Sequence, residues 1–256
     1  MPTTAQKWYD EIQKSNKDAL LANQITVIPS VQTFASSGKD PMIGAYSSFV
    51  LVEEQQGAEA CIANAFLCLD ELLANIPVYR TKPQDYHFHG LIHTYPKLPS
   101  EGGRYRTWNE VRRFLDISHE ILRGTPPFEV TYKGLVCSRD AVLLCGFADP
   151  ALDIVRNRFF DAVERYPDAF DLIQQGQDPR QSMRYLREKY AQGAAHISAA
   201  RFLGQLPNPT QFVDRAEGMK SVEIGKIVVD HFTFICNGWY DINNPQTSVR
   251  VRINLE

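Results

Sequence analysis

From residue 48 onward, hydrophobic and polar positions along this chain of 256 residues alternate between two periods. Phe49 to Glu53 reads as a strand, and Ala58 to Asn75 as a helix with Ala60, Ala63, Phe66, Leu67 and Leu73 at helical spacing. Val78 to Arg80 and Tyr86 to His93 read as extended segments, followed by a loop from Pro96 to Arg106 that contains Gly102 and Gly103. Thr107 then opens a helix to Arg123, with Glu110 at capping-box spacing and Gly124 as the stop. Phe128 to Tyr132 and Ala141 to Phe147 are predicted strands, joined by a turn that holds Gly134 and Ser138-Arg139-Asp140. Asp149-Pro150 starts a helix to about Tyr166. A polar stretch, Gln174 to Gln181, leads into a basic helix, Ser182 to Tyr190, and Ala194 to Leu203 is a predicted strand. Pro207-Asn208-Pro209 opens a short helix to Gly218, and strands near Glu223 to Cys236 and Thr247 to Asn254 close the chain.

Residues 1–45 read as an N-terminal extension: an amphipathic helix around Ala5 to Ala22, then a Ser/Gly/Pro-rich stretch ending near Pro41. No repeat of 20–50 residues is present. A coarser symmetry is: helix, strand with an internal histidine, helix, strand occurs around residue 87 and again around residue 196. Two half-domains facing each other would place both histidines in one cleft, which makes residues 46–256 a single bilobal domain.

With 44% hydrophobic and 22% charged residues the chain can bury a large core, and a net charge of −3 excludes a generally basic surface. A polyanion would have to meet a local basic patch. The N-terminus carries Asp10, Glu11 and Asp18 and no apolar run, so no signal peptide is expected. The longest apolar runs, such as Ile227 to Val229 and Ala141 to Phe147, are too short to span a bilayer, so no membrane partner and a cytoplasmic location are expected. Five cysteines (61, 68, 137, 145 and 236) form no C-x-x-C pair, which points to reduced, mostly buried thiols and away from a zinc ribbon or redox dithiol.

The candidate chemistry is histidine chemistry. In Tyr86-His87-Phe88-His89-Gly90-Leu91-Ile92-His93, strict strand alternation puts His87, His89, Leu91 and His93 on one face, so three of the six histidines crowd one strand. In Ala195-His196-Ile197-Ser198, His196 and Ser198 share a face, and Arg201 points the other way unless the strand twists or bulges. Opening a cyclic phosphodiester requires a proton taken from the attacking water and another given to the departing ribose oxygen. Two imidazoles with pKa values near neutrality on opposite sides of phosphorus can do both. Donors two residues along each strand can hold the non-bridging oxygens. Weaker candidates are Arg201, Lys133, Arg139, Lys97 and Arg104 for basic character, and Tyr86, Tyr95, Tyr132 and His93 for substrate contact. His231-Phe232-Thr233 spells H-x-T but falls on a closing strand and is read as structural; mid-helix His119 has no indicated role.

His196-Ile197-Ser198 followed by Ala-Ala-Arg-Phe, together with Tyr86-His87-Phe88-His89 after Pro83, resembles the two-histidine (2H) phosphoesterases, which include bacterial RNA 2′,5′-ligase-like proteins and cyclic nucleotide phosphodiesterases. The resemblance runs from about Phe49 to the C-terminus and takes in Phe128-Glu129-Val130-Thr131, Val142 to Gly146 and Asp149-Pro150-Ala151-Leu152. It implies an α+β fold of two pseudo-symmetric lobes, each an antiparallel sheet flanked by helices, with the site between them. It also implies metal-independent hydrolysis of a 2′,3′-cyclic phosphate on a nucleotide or RNA end, with His87 and His196 as the general base and general acid in either order, and His89 and Ser198 on the phosphate. No cofactor and no obligate protein partner are implied. One departure is His89, where the family has Thr or Ser; imidazole can still donate a hydrogen bond, and a charge if protonated. Two alternatives stand beside this. A metal-dependent hydrolase or oxygenase would use His87 and His89 as ligands, completed from Asp85, His93 or His196. A catalytically silent module would bind a nucleotide or a protein without turnover.

Overall fold

The computed structural model describes residues 3–42, 44, 46–94, 97–101, 103–105, 107–166, 193–236 and 249–256. Their strands form two antiparallel sheets. In the first, β1 (Tyr46–Leu51) lies between β3 (His87–Thr94) and β8 (His231–Cys236), and β9 (Val249–Asn254) pairs with β8, in the order β3-β1-β8-β9. In the second, β2 (Val78–Arg80), β4 (Phe128–Cys137), β5 (Ala141–Ala148), β6 (Ile197–Phe202) and β7 (Glu223–Val229) follow the order β2-β6-β5-β4-β7. Six α-helices accompany them among the described residues: α1 (Thr4–Leu21), α2 (Pro29–Ser37), α3 (Ala58–Leu72), α4 (Trp108–Leu122), α5 (Pro150–Arg165) and α6 (Pro209–Gly218). The mixed α+β class and the two antiparallel sheets are as the sequence leads one to expect.

Local chemistry explains the element ends. Thr107 and Glu110 form the capping box of α4: the Thr107 backbone N–H donates to the Glu110 carboxylate (2.8 Å), and the Glu110 N–H donates to the Thr107 hydroxyl (3.4 Å). Pro150 supplies the first turn of α5, where its missing N–H is no loss. One contiguous core joins the backs of both sheets to the helices, with Phe88 and Phe232 from the first sheet, Val130 and Val142 from the second, and Leu69, Phe114, Leu152 and Phe212 from α3 to α6.

The elements depart from the sequence expectation in three places. β4 runs through Gly134 to Cys137, because Gly134 (φ +81°) bulges where the carbonyl of Lys220 comes too close for any Cβ; the turn is made by Ser138 to Asp140 alone. The segment Glu223 to Cys236 is two strands in different sheets, broken at Asp230. His196 immediately precedes β6 and is not inside it. The polar stretch 174–181 and the basic helix 182–190 lie outside the described residues. Among the described residues, no helix is long and apolar enough to cross a membrane.

The N-terminal segment is also more than an appendage, since α1 lies on the second sheet. Ala5 and Tyr9 are buried against Val136, Ala141, Leu143, Cys145 and Ala194, with Trp8, Ile12 and Phe147 around them. The Tyr9 hydroxyl donates to the carbonyl of Gly146 (2.9 Å) and accepts from its N–H (3.0 Å), while the side-chain carbonyl of Gln13 accepts from the Cys137 N–H (3.0 Å). Both are buried polar groups whose hydrogen bonds cross from helix to sheet, so they fix the helix in register as well as adding burial. Tyr9→Phe strips the Gly146 N–H of its acceptor inside the core. It should lower stability by about 1–3 kcal/mol, read as a drop in the urea midpoint at unchanged m. An unchanged midpoint would mean that α1 is not held through Gly146.

Candidate active site

β3 is an edge strand whose pairing with β1 carries His87 opposite Leu51 and His89 opposite Phe49. Residues directly opposite one another in an antiparallel pair share a face, so both imidazoles stand with Phe49 and Leu51, which are buried together with Ile235. The ring of Phe49 meets His87 edge-on at 4.6 Å and His89 at 4.7 Å, and the two imidazoles are T-shaped at 5.1 Å. The register then slips by one: Ser48 faces Leu91, and Gly90 is the extra residue. A Cβ at Gly90 would stand 2.1 Å from the ring of Phe232, so only glycine fits. The bulge sends Leu91 into the main core with Phe88. A single face shared by His87, His89, Leu91 and His93 is thus not what forms; alternation fails at Gly90. The side chain of His93 lies outside the described residues, as does Tyr95.

The second motif has the same construction. Leu143 faces Ser198 and Val142 faces Ala200, so Ala199 is the extra residue of β6. The slip turns Arg201 onto the face of Ser198, and its guanidinium donates to the Ser198 hydroxyl at 3.2 Å while pairing with Asp140. Thr81 braces the bulge from the strand beside it: its hydroxyl donates to the Ser198 carbonyl (2.8 Å) and its N–H to the Ala199 carbonyl (3.0 Å). Just upstream, the Ala195 N–H donates to the Gly146 carbonyl (2.9 Å), the same oxygen that the Tyr9 hydroxyl reaches. His196 follows directly, with the indole of Trp8 against its ring at 5.2 Å and 42°.

β3 and β6 come together across the two sheets. His87, His89, His196, Ser198 and Arg201 therefore belong to one cluster, and the charges of His87, His196, Arg156 and Arg201 are all felt at His89. Arg156 reaches in from α5, almost fully buried, and donates to the backbone carbonyl of His89 at 3.0 Å. The tautomer of His87 follows from its partner. Its Nδ1 is 2.7 Å from the carbonyl of Asp85, which can only accept, so Nδ1 carries the hydrogen and a neutral ring has its lone pair on Nε2. Burial lowers the His87 imidazole to about 4, against the Asp85 carbonyl, which favours the protonated ring, and with help from the Arg201 guanidinium. Burial, the neighbouring imidazoles and the two guanidiniums hold His89 well below the ordinary histidine value. His89 is thus held neutral and brings no charge to the cluster.

Other residues singled out in the sequence lie elsewhere. Tyr86 and Tyr132 are fully buried in the main core and cannot touch a ligand: Tyr86 stacks on Phe66 of α3, and Tyr132 packs on Gly146. Strand alternation sends Tyr86 inward because its neighbour His87 points out. Lys97, Arg104, Lys133 and Arg139 are exposed, with Arg104 paired to Glu110. His119 is exposed on α4. His231 is fully buried, with carboxylates of Glu54 and Asp230 at its two ring nitrogens, and Thr233 donates to the same Glu54 (2.9 Å), which fits a structural role. Four of the five thiols are buried and none forms a disulfide. Sequence reasoning misses two residues of the cluster, Trp8 and Arg156. Trp8 sits in a segment that reads as an extension, and Arg156 looks like any helix-surface arginine.

Among the described residues, no group of three or more His, Cys, Asp or Glu is arranged to hold a metal ion. His87 and His89 thus find no further ligand of that kind there. No family model and no curated protein matches the chain. Among solved structures it is similar to TT0787 of Thermus thermophilus, at 16% identity and a TM-score of 0.50, covering 82% of this chain and 95% of that one. At this identity the likeness is one of fold.

The His87 environment can be checked directly. Its ring should remain neutral at pH 6 and take up a proton only near 4, seen in the pH titration of its ring signals by NMR. An unfolded imidazole is protonated near 6.5, so between 6.5 and about 4 the unfolded chain holds more protons than the folded one. The contribution of His87 to stability is therefore complete above that window and is lost as the pH falls through it. A midpoint near 6.5 in the folded protein would contradict the geometry.

Proposed function

We propose that the protein is a metal-independent phosphodiesterase that opens a 2′,3′-cyclic phosphate on a nucleotide or RNA end. The observation that carries this reading is the convergence of two H-x-polar motifs, His87/His89 and His196/Ser198, from strands of different sheets onto one cluster. The fold likeness to TT0787 is consistent with it.

In this scheme water attacks phosphorus on one side while the ribose oxygen leaves on the other. His87 is the base. Its Nδ1–H is held by Asp85, so Nε2 takes the proton from water as the new P–O bond forms. His196 is the acid and delivers its proton to the departing O2′ or O3′ as that P–O bond breaks. The product is a monophosphate ester with a free neighbouring hydroxyl. His89 and Ser198 donate to the non-bridging oxygens, where charge builds in the transition state. The guanidinium of Arg201 orients the Ser198 hydroxyl and adds positive potential, as does buried Arg156. A neutral His89 suits a low-dielectric site that must not assemble three like charges before substrate arrives.

The test is hydrolysis of 2′,3′-cyclic nucleotides in excess EDTA. Activity should persist in the chelator and fall by about 10²–10⁴-fold in His87→Ala and in His196→Ala. Full activity in either variant, or loss of wild-type activity to EDTA, contradicts the proposal. Saturable nucleotide binding without turnover would mark a silent binding module instead.

A further inference from the structure

The N-terminal helix reaches the site through two consecutive residues. Tyr9 staples α1 to Gly146, and Gly146 in turn accepts from the N–H of Ala195, the residue before His196. Trp8, one residue earlier on the helix, lays its indole against the His196 ring. His196 lies just before β6, between Ile197, which pairs with Leu144, and the Ala194–Phe147 bridge, so its backbone is held on both sides. His196 is half-buried. Trp8 packs on its ring and so bears directly on where the imidazole points.

We propose that Trp8 is a positioning residue for His196, so that α1, which lies outside the recognisable two-histidine region, is a working part of the site. This rests on the reading of His196 as the general acid. Tyr9 fixes where the helix stands, and Trp8 converts that into the direction in which His196 points. The indole closes one side of the imidazole. Its face also tolerates the protonated ring.

The experiment uses the full chain and compares wild type, Trp8→Ala and Trp8→Phe on a 2′,3′-cyclic nucleotide, with thermal unfolding as a check on folding. Trp8→Ala should lose about 10–100-fold in kcat with KM nearly unchanged, and Trp8→Phe, which keeps a ring at the position, should recover most of it. The ring protons of His196 should show the upfield shift of a stacked aromatic in wild type and lose it in Trp8→Ala. An unchanged kcat in a folded Trp8→Ala overturns the proposal, and so does a loss that falls on KM alone.

If the wild-type chain turns over no cyclic nucleotide, the proposed reaction fails, and Trp8 is then judged with inorganic phosphate. A phosphate-induced shift of the His196 ring signals that is lost in Trp8→Ala upholds positioning. A shift that persists unchanged in the variant, or none in wild type, removes it.

Discussion

Each histidine motif is followed at once by one extra residue in its strand: Gly90 after His87-Phe88-His89, and Ala199 after His196-Ile197-Ser198. A bulge of this kind re-aims side chains on either side of it. On β3 it releases Leu91 to the core, so that the strand can present two imidazoles in front and hydrophobic packing behind. On β6 it brings Arg201 round to Ser198. Two bulges at corresponding places in two lobes are the clearest sign that the halves are built alike. They also allow strands with two buried faces to carry polar groups on a short stretch of one of them.

The bulges also mark the limit of what the sequence discloses. The positions of β3 and β6, the capping box of α4 and the pairing of residue 87 with residue 196 are legible from periodicity and spacing, while the α+β class is what the resemblance of the two motifs implies. A one-residue slip is invisible to a rule that counts alternation, so that rule groups Leu91 with His87 and can aim Arg201 only conditionally. Tyr86 and Tyr132 look like stacking platforms because an aromatic in a strand reads the same whether it faces a ligand or the core; alternation from His87 is the available signal for Tyr86. The role of α1 is not legible, since the bond that docks it joins Tyr9 to a backbone group 137 residues away.

Neighbours decide what each histidine is fit for. His231 spells the same motif as the others, yet both of its ring nitrogens meet carboxylates, and Glu54 is further taken up by Thr233 and Arg250. That network satisfies itself and ties the turn after β1 to β8 and β9. His87 instead has one nitrogen tied to a carbonyl, in a pocket that disfavours its charge. His89 is held neutral by burial, with two imidazoles and two guanidiniums around it adding to the effect. His196 rests against an indole. Different surroundings for chemically identical side chains are what divides base, donor and acid in the proposed reaction.

The central claim is that phosphorus sits between His87 and His196. A crystal structure with adenosine 3′-monophosphate bound tests it most directly. The phosphate should lie between the His87 Nε2 and the His196 ring, with His89 and Ser198 within hydrogen-bond distance of its oxygens. A nucleotide whose phosphate lies away from both histidines, for instance over the shallow surface formed by Asn208, Gln211 and Arg215, would contradict it.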